Sequence, residues 1–570
     1  MDKPRSRHWW LPAVPGLATV RSYRRSWLRG DLVAGVTVAA YLVPQVMAYA
    51  EVAGLPPVTG LWAALAPLLL YALLGSSRSL SMGPEATTSL MTATAIGPLA
   101  AGDPARYALL ATALAFGVGL FALLAWVARL GFVADLLSRP VLVGYLAGVA
   151  VIMISGQLGR LTGVPVTGQT FTSELVSFFR GLGQMQLATV LLSVFVLAFL
   201  FVMRARWPRL PGPLIAVLLA AAVVWIGGLK NHGVDVVGAV PSGLPTPGLP
   251  HLSGLDLGRL VLPALTVLAV GFTDDVLTAR SFARRDEQID ANQELLALSA
   301  SNIGAGLLRG FPVSSSASRT AIGVSTGSRT QVYSLATMVT VLAVLLLGGR
   351  VLATFPEAAL GAIVVYAATH LVDMPAFRRL AAFRRSEFLI ALATCAGVLA
   401  FNILYGVLVA IGLSVAELLF RVGRPHAAIL GQVPDVAGMH DIEDYPGTIT
   451  IPGLVVFRYD APLFFANADD FRRRALAAVS LSERRDGPVR WFLLNAEANV
   501  EADYTAMEAL ASLHSELTRR GIVFALARAK AELLDQFRAF GIAEKIGEEW
   551  IFPTLPTAVK AYREWAERHG

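Results

Sequence analysis

Long apolar runs recur along this chain from about residue 31 to residue 421. A bilayer core needs about 20 apolar residues per helix. Fourteen segments meet or approach that length, and two of them are short. These candidate spans are residues 31–54, 58–75, 84–100, 105–129, 137–158, 185–203, 213–228, 258–280, 290–308, 314–327, 333–348, 350–371, 387–403 and 404–421. The pattern predicts an all-α, polytopic membrane domain over residues 31–425.

The pattern of apolar positions changes after about residue 430. The runs "GLVVFRY" (453–459) and "VRWFLLNA" (489–496) are typical of buried strands, whereas "YTAMEALASLHSELTRR" (504–520) has the apolar spacing of an amphipathic helix. A third strand pattern follows at 521–527, with helical patterns at 529–539 and 556–567. Strands that alternate with helices indicate a small α/β domain, which we expect over residues 446–570 behind a linker at 426–445.

Composition supports the membrane assignment and excludes several classes of function. The chain is 55% hydrophobic and only 15% charged, and its mean hydropathy is +0.60. Its net charge of +7 does not indicate a nucleic-acid partner, because the basic residues cluster between apolar runs and not on a soluble face. Cys395 is the single cysteine, so disulfides within the chain and cysteine-based metal sites are excluded.

The basic clusters also predict the orientation in the cell membrane. They lie before the first span, in "RSYRRSWLR", and after the sixth, eighth, twelfth and last spans, so all fall on one side of the membrane. The positive-inside rule makes that side cytoplasmic, with both termini inside. Residues 1–30 lack the apolar core and cleavage site of a signal peptide, and we expect a cytoplasmic segment there.

The stretch "GFPVSSSASRTAIGVSTG" (310–327) is polar although it lies between apolar runs. Its counterpart seven spans earlier is "SMGPEATTSLMTATAIG" (81–97), and an odd offset of seven places the two halves of the membrane domain in opposite orientations. In such inverted repeats, two broken helices point their N-termini at a substrate near the membrane midplane. We therefore expect two half-helices, at spans 3 and 10, that begin near Ser81 and Pro312.

Helix N-termini of this kind bind anions through free N–H groups and the positive end of the helix dipole. The residues expected to form the anion site at the two half-helices are Ala86, Thr87, Ser315, Ser316, Ala317, Ser318 and Arg319. Arg319 adds a permanent positive charge, and a charge at membrane depth usually marks a pathway or a paired partner. Two alternatives stay open, since small and hydroxyl residues also serve tight helix packing and Arg319 could simply pair with a carboxylate.

Several blocks of the chain resemble the sulfate permease (SulP) family of anion transporters. They are "PQVMAYAEVAGLPPVTGLWAAL" (44–65), "GPEATTSLM" (83–91), "FPVSSSASRTAIGVSTGSRT" (311–330) and "FPEAALGAIVVYAATHLVD" (355–373), and "PGLVVFRYDAPLFFANADDFRRR" (452–474) resembles the start of the family's STAS domain. The resemblance implies fourteen spans in a seven-plus-seven inverted repeat. It also implies a core of spans 1–4 and 8–11 that moves against a gate of spans 5–7 and 12–14, an anion site between spans 3 and 10, and a homodimer.

Two acidic residues are candidates for coupling transport to a cation. By resemblance, Asp274 on the eighth span takes the position of the family's acidic residue, and Thr278 lies one helical turn further on. Their oxygens could bind sodium, since the spacing of the two residues is similar to that in sodium-dependent bicarbonate members of the family. Alternatively, the carboxyl could carry a proton. Alternatively, Asp274 simply pairs with Arg319. Glu85 departs from the family pattern, and it could be protonated, paired with Arg319 or a proton carrier.

Three further residues complete the set of candidates. Gln45 matches a family glutamine near the anion site, although a packing role fits it almost as well, and Tyr41 is a plausible lining residue. In the STAS domain, Thr505 lies nearest to the place where related domains carry a phosphorylatable serine, but a plain helix-start residue would look the same. The resemblance also implies a regulatory or assembly role for this domain, with a possible cytoplasmic partner.

These observations predict a secondary active transporter of an inorganic oxyanion, sulfate or bicarbonate, driven by symport of a proton or sodium. A dicarboxylate symporter of the fumarate type or an anion exchanger would use the same fold, and a membrane-tethered STAS signalling protein is a remote alternative. We expect no enzymatic activity and no cofactor, because the sequence has no phosphate-binding glycine loop, no HExxH motif and no nucleophile with a base.

Overall fold

The computed structural model describes residues 14–135, 138–166, 171–207, 210–239, 241, 243–250, 254–401, 403–445 and 447–569. It divides into two compact units, one up to Ser414 and one from Val415 onward.

The helices of the first unit follow the apolar runs. They are α1 (Pro15–Arg21), α2 (Arg25–Val52), α3 (Pro57–Leu74), α4 (Ala86–Ala100), α5 (Pro104–Val127), α6 (Arg139–Gly156), α7 (Leu158–Thr162), α8 (Phe171–Arg180), α9 (Leu187–Arg206), α10 (Gly212–Ile226), α11 (Gly254–Phe282), α12 (Ala291–Leu307), α13 (Ala317–Ser325), α14 (Val332–Leu347), α15 (Gly349–Leu352), α16 (Glu357–Thr369), α17 (Met374–Phe383), α18 (Arg385–Phe401) and α19 (Ile403–Gly423). Two short strands, β1 (Met82–Gly83) and β2 (Ser314–Ser315), precede α4 and α13. Every one of the fourteen candidate spans overlaps a helix, which confirms the predicted fold class.

Length and composition alone qualify half of these spans. Among the described residues, seven helices are long and apolar enough to cross a membrane. They are Arg25–Val52, Pro57–Leu74, Pro104–Val127, Arg139–Gly156, Leu187–Arg206, Gly258–Phe282 and Glu357–Phe383. By contrast, α4 has 15 residues and α13 has 9, so both are too short to span a bilayer core alone.

The helices pack in two groups. Helices α2–α5 pack with α11–α14, chiefly α12 against α3 and α5 and α14 against α2 and α3. The second group joins α6 to α18, α16 to α6 and α9, and α10 to α9. Glycines allow close approach within both groups, since a side chain at Gly60 would collide with the Val46 carbonyl and one at Gly144 with that of Ala391. The groups meet along α2, which packs against α10 and α16.

The second unit contains a six-stranded sheet of order β4-β3-β5-β6-β7-β8. Its strands are β3 (Ala427–Gln432), β4 (Met439–Asp441), β5 (Leu454–Tyr459), β6 (Trp491–Asn495), β7 (Val523–Ala527) and β8 (Ile551–Phe552), and its helices are α20 (Ala468–Asp486), α21 (Tyr504–Arg519), α22 (Ala531–Phe540), α23 (Ile542–Ile546) and α24 (Leu555–His569). Strands β5 to β8 are parallel, and β3 joins β4 and β5 in antiparallel pairs. Helices α20 to α23 cover one face of the sheet, and α24 covers the other, where Trp491 is fully buried.

The segment 426–445, expected to be a linker, instead contributes β3 and β4 to this sheet. In β3, Leu430 pairs with Val456 of β5 on one side and with Asp441 of β4 on the other. The run is short and only partly apolar, so its place in the sheet depends on the partner strand and not on its own pattern.

Candidate functional site

The segments that lead into α4 and α13 cross each other inside the membrane unit. Strands β1 and β2 pair antiparallel, with Met82 opposite Ser315 and Gly83 opposite Ser314. The Ser316 N–H extends this pairing by donating to the Ser81 carbonyl at 2.9 Å. All of these residues are buried. The crossing therefore brings the N-termini of the two short helices to one place, as predicted for an inverted repeat.

Both short helices begin later than expected. We expected starts near Ser81 and Pro312, but the first helical residues are Ala86 and Ala317. The reason is the β1–β2 pairing, which holds the preceding residues in extended conformation. Pro312 accordingly lies before β2 and not in the first turn of a helix.

The start of α13 is open. Ser316 is its N-cap residue and makes no side-chain capping bond within the described part of the chain. Its hydroxyl lies 3.1 Å from that of Ser318. Ala317 and Ser318 are exposed, and the first-turn N–H groups of a helix have no partner within the helix. Hydroxyl and amide donors thus collect at this N-terminus.

The start of α4 is closed by an acid. Glu85 is the N-cap residue, and its Oε2 accepts the Thr87 N–H at 2.6 Å. The side chain is only half-buried. The carboxylate of Glu85 therefore already occupies part of the anion site that we expected at Ala86 and Thr87.

Arg319 lies in the first turn of α13 and is fully buried. Its Nη1 donates to the Pro84 carbonyl at 2.8 Å and to Gln45 Oε1 at 3.3 Å. Its Nε and Nη2 have no hydrogen-bond partner among the described residues. Arg319 forms no ion pair with Asp274 in that part of the chain, so the alternative of a simple pair between them finds no support. Two donors of a buried cation are left for another acceptor.

A cavity of about 690 Å³ joins most of the predicted residues. The predicted residues that line it are Tyr41, Gln45, Glu85, Ala86, Thr87, Asp274, Ser315, Ser316, Ala317 and Ser318. Arg319 and Thr278 are buried behind this lining. Sequence reasoning missed Tyr49, whose hydroxyl accepts from Gln45 Nε2 at 3.0 Å, and Arg204 at the end of α9. Arg204 belongs to a basic cluster that we used only for orientation.

The two adjacent acids of α11 have different surroundings. Asp274 is half-buried and faces the cavity, with Thr278 one turn further along the helix. Asp275 is fully buried, and its Oδ1 accepts the Ser315 N–H at 2.6 Å. Its Oδ2 has no partner among the described residues. Asp275, to which the sequence assigned no role, thus holds the strand that leads into α13. The signal that could have found it is a second acid within an apolar helix.

Toward one end of the membrane unit, the cavity is lined by Arg204, Trp207 and Ser281, which end or follow α9 and α11. At the opposite end of α2, Arg160 on α7 lies 3.7 Å from Glu51 and 3.9 Å from Glu357. Because α2 belongs to one helix group and α7 and α16 pack in the other, this ion-pair cluster joins the two groups, and its three residues do not line the cavity.

The remaining candidates give less chemistry. Among the described residues, no group of three or more His, Cys, Asp or Glu side chains could hold a metal ion. In the second unit, Thr505 is exposed in the first turn of α21, and the cap of that helix is Asp503, which accepts the Ala506 N–H at 2.8 Å. Phosphorylation of Thr505 stays a prediction.

The fold and the crossing define a class: a helical membrane protein with two half-helices that meet inside it, followed by a STAS domain. The sulfate permease family profile matches residues 28–394, and the STAS domain profile matches residues 445–558. The chain belongs to the sulfate permease family.

Relatives and solved structures agree with this assignment. A probable sulfate transporter of Mycobacterium tuberculosis is 58% identical over 552 residues, which cover 96% of this chain and 98% of that protein. Probable sulfate transporter 4.2 of Arabidopsis thaliana is 30% identical over 578 residues, 98% of this chain and 85% of that protein. Murine Slc26a9, an anion transporter solved in the inward-facing state, has the same fold (TM-score 0.89, 23% identity, 99% of this chain and 97% of that chain). So does the transmembrane domain of the cyanobacterial bicarbonate transporter BicA (TM-score 0.60, 24% identity, 69% and 98%).

Proposed function

We propose that this protein is a secondary active transporter that moves an inorganic oxyanion, sulfate or bicarbonate, across the cytoplasmic membrane by alternating access. The observation that carries the proposal is the start of α13 at the cavity, where uncapped hydroxyl and amide donors precede buried Arg319, whose Nε and Nη2 have no partner among the described residues. A buried guanidinium whose hydrogen bonds are incomplete costs several kcal/mol unless a ligand completes them. The relatives named as sulfate transporters support sulfate as the first substrate to test.

The lining of the cavity supports an inward-facing conformation. Arg204 and Ser281 belong to the basic clusters at the ends of α9 and α11 that the positive-inside rule assigns to the cytoplasm, and both line the cavity. The ion pair of Arg160 with Glu51 then lies at the outer end and holds the two helix groups together there. Outward opening requires these groups to separate at that pair, so that the anion exchanges sides while it stays bound at α13.

Asp274 is the residue we assign to coupling. It faces the cavity at the level of the half-helices, so its carboxylate can bind a proton or, with Thr278, a sodium ion in the same space as the anion. A carboxylate that holds no cation would repel an incoming anion across this low-dielectric site. Binding of the cation therefore favours binding of the anion, which is the basis of symport.

Transport by reconstituted protein tests both assignments. Purified full-length protein in liposomes is given labelled sulfate, bicarbonate or fumarate under an imposed proton or sodium gradient, for wild type and Asp274→Asn. We expect one gradient to drive uptake of an inorganic oxyanion, and Asp274→Asn to lose that drive while anion exchange continues. Uptake of fumarate alone would favour a dicarboxylate transporter, and exchange without any driving gradient would favour an exchanger.

The same experiment has a control that guards against a general loss of fold. Asp290→Asn changes an acid to an amide at the N-cap of α12, where Asp290 accepts the Asn292 N–H at 2.9 Å away from the cavity. We expect this variant to keep the gradient response of wild type. If Asp274→Asn keeps it too, Asp274 has a structural role and coupling lies elsewhere. If neither wild type nor variant transports any of the three anions, the proposed function is wrong.

A homodimer and a regulatory or assembly role for the STAS domain follow from family resemblance, and we include both in the proposal. Light scattering of the purified protein measures its oligomeric state. A protein that binds the C-terminal unit while wild type shows no transport would instead favour a membrane-tethered signalling protein.

A further inference from the structure

The N-terminus of α4 holds a carboxylate where its counterpart on α13 holds none. Glu85 Oε2 accepts the Thr87 N–H at 2.6 Å, whereas the N-cap side chain of α13, Ser316, makes no capping bond in the described part of the chain. A helix N-terminus favours any negative group, whether it comes from the chain or from a ligand. Glu85 therefore sits as an internal anion in one half of the site proposed for the substrate.

Glu85 shares the cavity with both the proposed substrate donors and the proposed coupling acid. The charged and titratable groups that face it or line the cavity with it are Tyr41 and Tyr49 on α2, Tyr145 on α6, Arg204 on α9, Asp274 on α11, Arg319 on α13, Tyr366 on α16, and His370 and Asp373 after α16. Arg319 is the positive charge in the first turn of α13, whereas Arg204 lies at the end of α9. With Glu85 and Asp274 both ionised, these two acids and Arg319 together carry a net negative charge at the half-helices before any oxyanion enters, and that charge opposes an anion strongly at low dielectric.

One proton on Glu85 reverses its effect on the site. A protonated carboxyl keeps a carbonyl oxygen that can accept the Thr87 N–H, and it gains an O–H donor that can face an oxyanion. The cap of α4 survives, one negative charge disappears, and the number of donors around the anion rises by one. Nothing else in the site has to move for this change.

We propose that Glu85 is a proton-binding residue of the anion site, whose ionised carboxylate excludes the substrate and whose protonated form donates a hydrogen bond to it. This inference rests on the proposed function and adds a proton that enters the site at α4, separate from the cation at Asp274. The step is a simple protonation: the carboxylate takes one proton from cavity water, and no covalent bond of the substrate changes. By reciprocity, the bound oxyanion holds the proton on Glu85, so the two travel together.

Sulfate binding as a function of pH tests the proposal. Sulfate is the anion of a strong acid and stays a dianion at every pH of the assay, so any pH dependence of its dissociation constant reports on the protein. We expect the wild-type Kd to rise by up to about tenfold for each unit by which the pH increases, which is the slope for one linked proton. Glu85→Gln keeps the cap acceptor and an N–H donor but has no proton to exchange. It should bind sulfate with a smaller pH dependence than wild type, and with a pH-independent Kd when Asp274→Asn also removes the second acid of the cavity.

Two further variants keep the test decisive. Glu85→Ser supplies another good N-cap without a titrating group, and it serves if Glu85→Gln does not fold. Asp103→Asn is the matched control, since Asp103 caps α5 by accepting the Ala105 N–H at 2.9 Å and does not line the cavity. We expect Glu85→Ser to lower the slope as Glu85→Gln does, and Asp103→Asn to have the slope of wild type.

The outcomes separate this inference from the proposed function. If Glu85→Gln keeps the wild-type slope, or folds and binds sulfate poorly at every pH, Glu85 is only a helix cap and the inference is overturned. Proton uptake into liposomes during sulfate uptake gives the second readout, which Glu85→Gln should lower by one proton per sulfate and Asp103→Asn should keep. If wild type neither binds nor transports sulfate, bicarbonate or fumarate, the proposed function fails first and this inference fails with it.

Discussion

Helices α4 and α13 occupy equivalent positions in the two halves of the membrane unit, yet their N-termini differ in charge and in capping. Both follow a two-residue strand, and the strands pair with each other at the crossing. A carboxylate accepts a backbone N–H near the start of each helix, but at a different position along the chain. Glu85 binds an amide inside the first turn of α4, whereas Asp275 binds the Ser315 amide just before α13 begins.

This difference gives the two half-helices different roles at the site. The dipole end of α4 is largely neutralised by Glu85, while that of α13 stays available and is reinforced by Arg319. Asp275 leaves the first-turn donors of α13 free because its partner amide belongs to β2. The structure therefore predicts that α13 binds the anion and that α4 regulates its access, although the inverted repeat makes the two helices equivalent in position.

Removal of the charge on α13 should have the largest effect. We expect Arg319→Ala to weaken sulfate binding by about 30-fold or more, because truncation of a buried charged donor costs about 2–5 kcal/mol. The Kd of purified protein for sulfate and initial rates of uptake measure the loss. Arg350→Ala removes an exposed arginine of α15 and is expected to change neither quantity.

An Arg319→Ala variant that folds and binds sulfate as wild type does would contradict the prediction that Arg319 and α13 bind the anion. The site would then depend on the helix ends alone. Thermal unfolding in detergent separates this outcome from a simple loss of fold, since Arg319 also donates to Pro84 and Gln45 and ties α13 to α4 and α2.

Much of this arrangement could be predicted from the sequence because it depends on local composition. Two short polar spans in corresponding positions indicate broken helices, whichever residues they begin and end at. The arginine within span 10 is too costly to face lipid, so it indicates a charge inside the protein. The predicted residues of both half-helices therefore gather at one cavity. The strands β5, β6 and β7 were equally visible, as continuous apolar runs.

Features that depend on a distant partner could not be predicted. Glu85 is not a favoured N-cap residue, so "GPEATT" gives no sign that its side chain closes the helix. Asp274 and Asp275 differ by one step of about 100° around α11, and the sequence does not say which of them meets Ser315. The strand β3 lacked a recognisable pattern for the same reason, since its neighbours β4 and β5 define it.

Substitution of Asp275, which accepts the Ser315 N–H just before α13, should have the second-largest effect. Asp275→Ala leaves the buried Ser315 N–H without an acceptor, which costs about 1–3 kcal/mol of stability and loosens the strand before α13. We expect a lower unfolding temperature in detergent and weaker sulfate binding. Asp275→Asn keeps an oxygen that can accept this N–H, so it should lie closer to wild type. If Asn is as damaging as Ala, the charge of Asp275 matters and not its hydrogen bond.

The smallest effect should come from a single hydroxyl at the open end of α13. Ser318 is exposed at the cavity, and its hydroxyl lies 3.1 Å from that of Ser316, so either can reorient toward an anion. One lost neutral hydrogen bond is worth about 0.5–1.5 kcal/mol, and we expect Ser318→Ala to weaken sulfate binding by about two- to tenfold. Ser325→Ala removes an exposed hydroxyl at the other end of the same helix and should leave the Kd unchanged. Because Arg319 and the backbone donors remain in Ser318→Ala, a loss as large as that in Arg319→Ala would mean that the hydroxyls, and not the charge, hold the anion at α13.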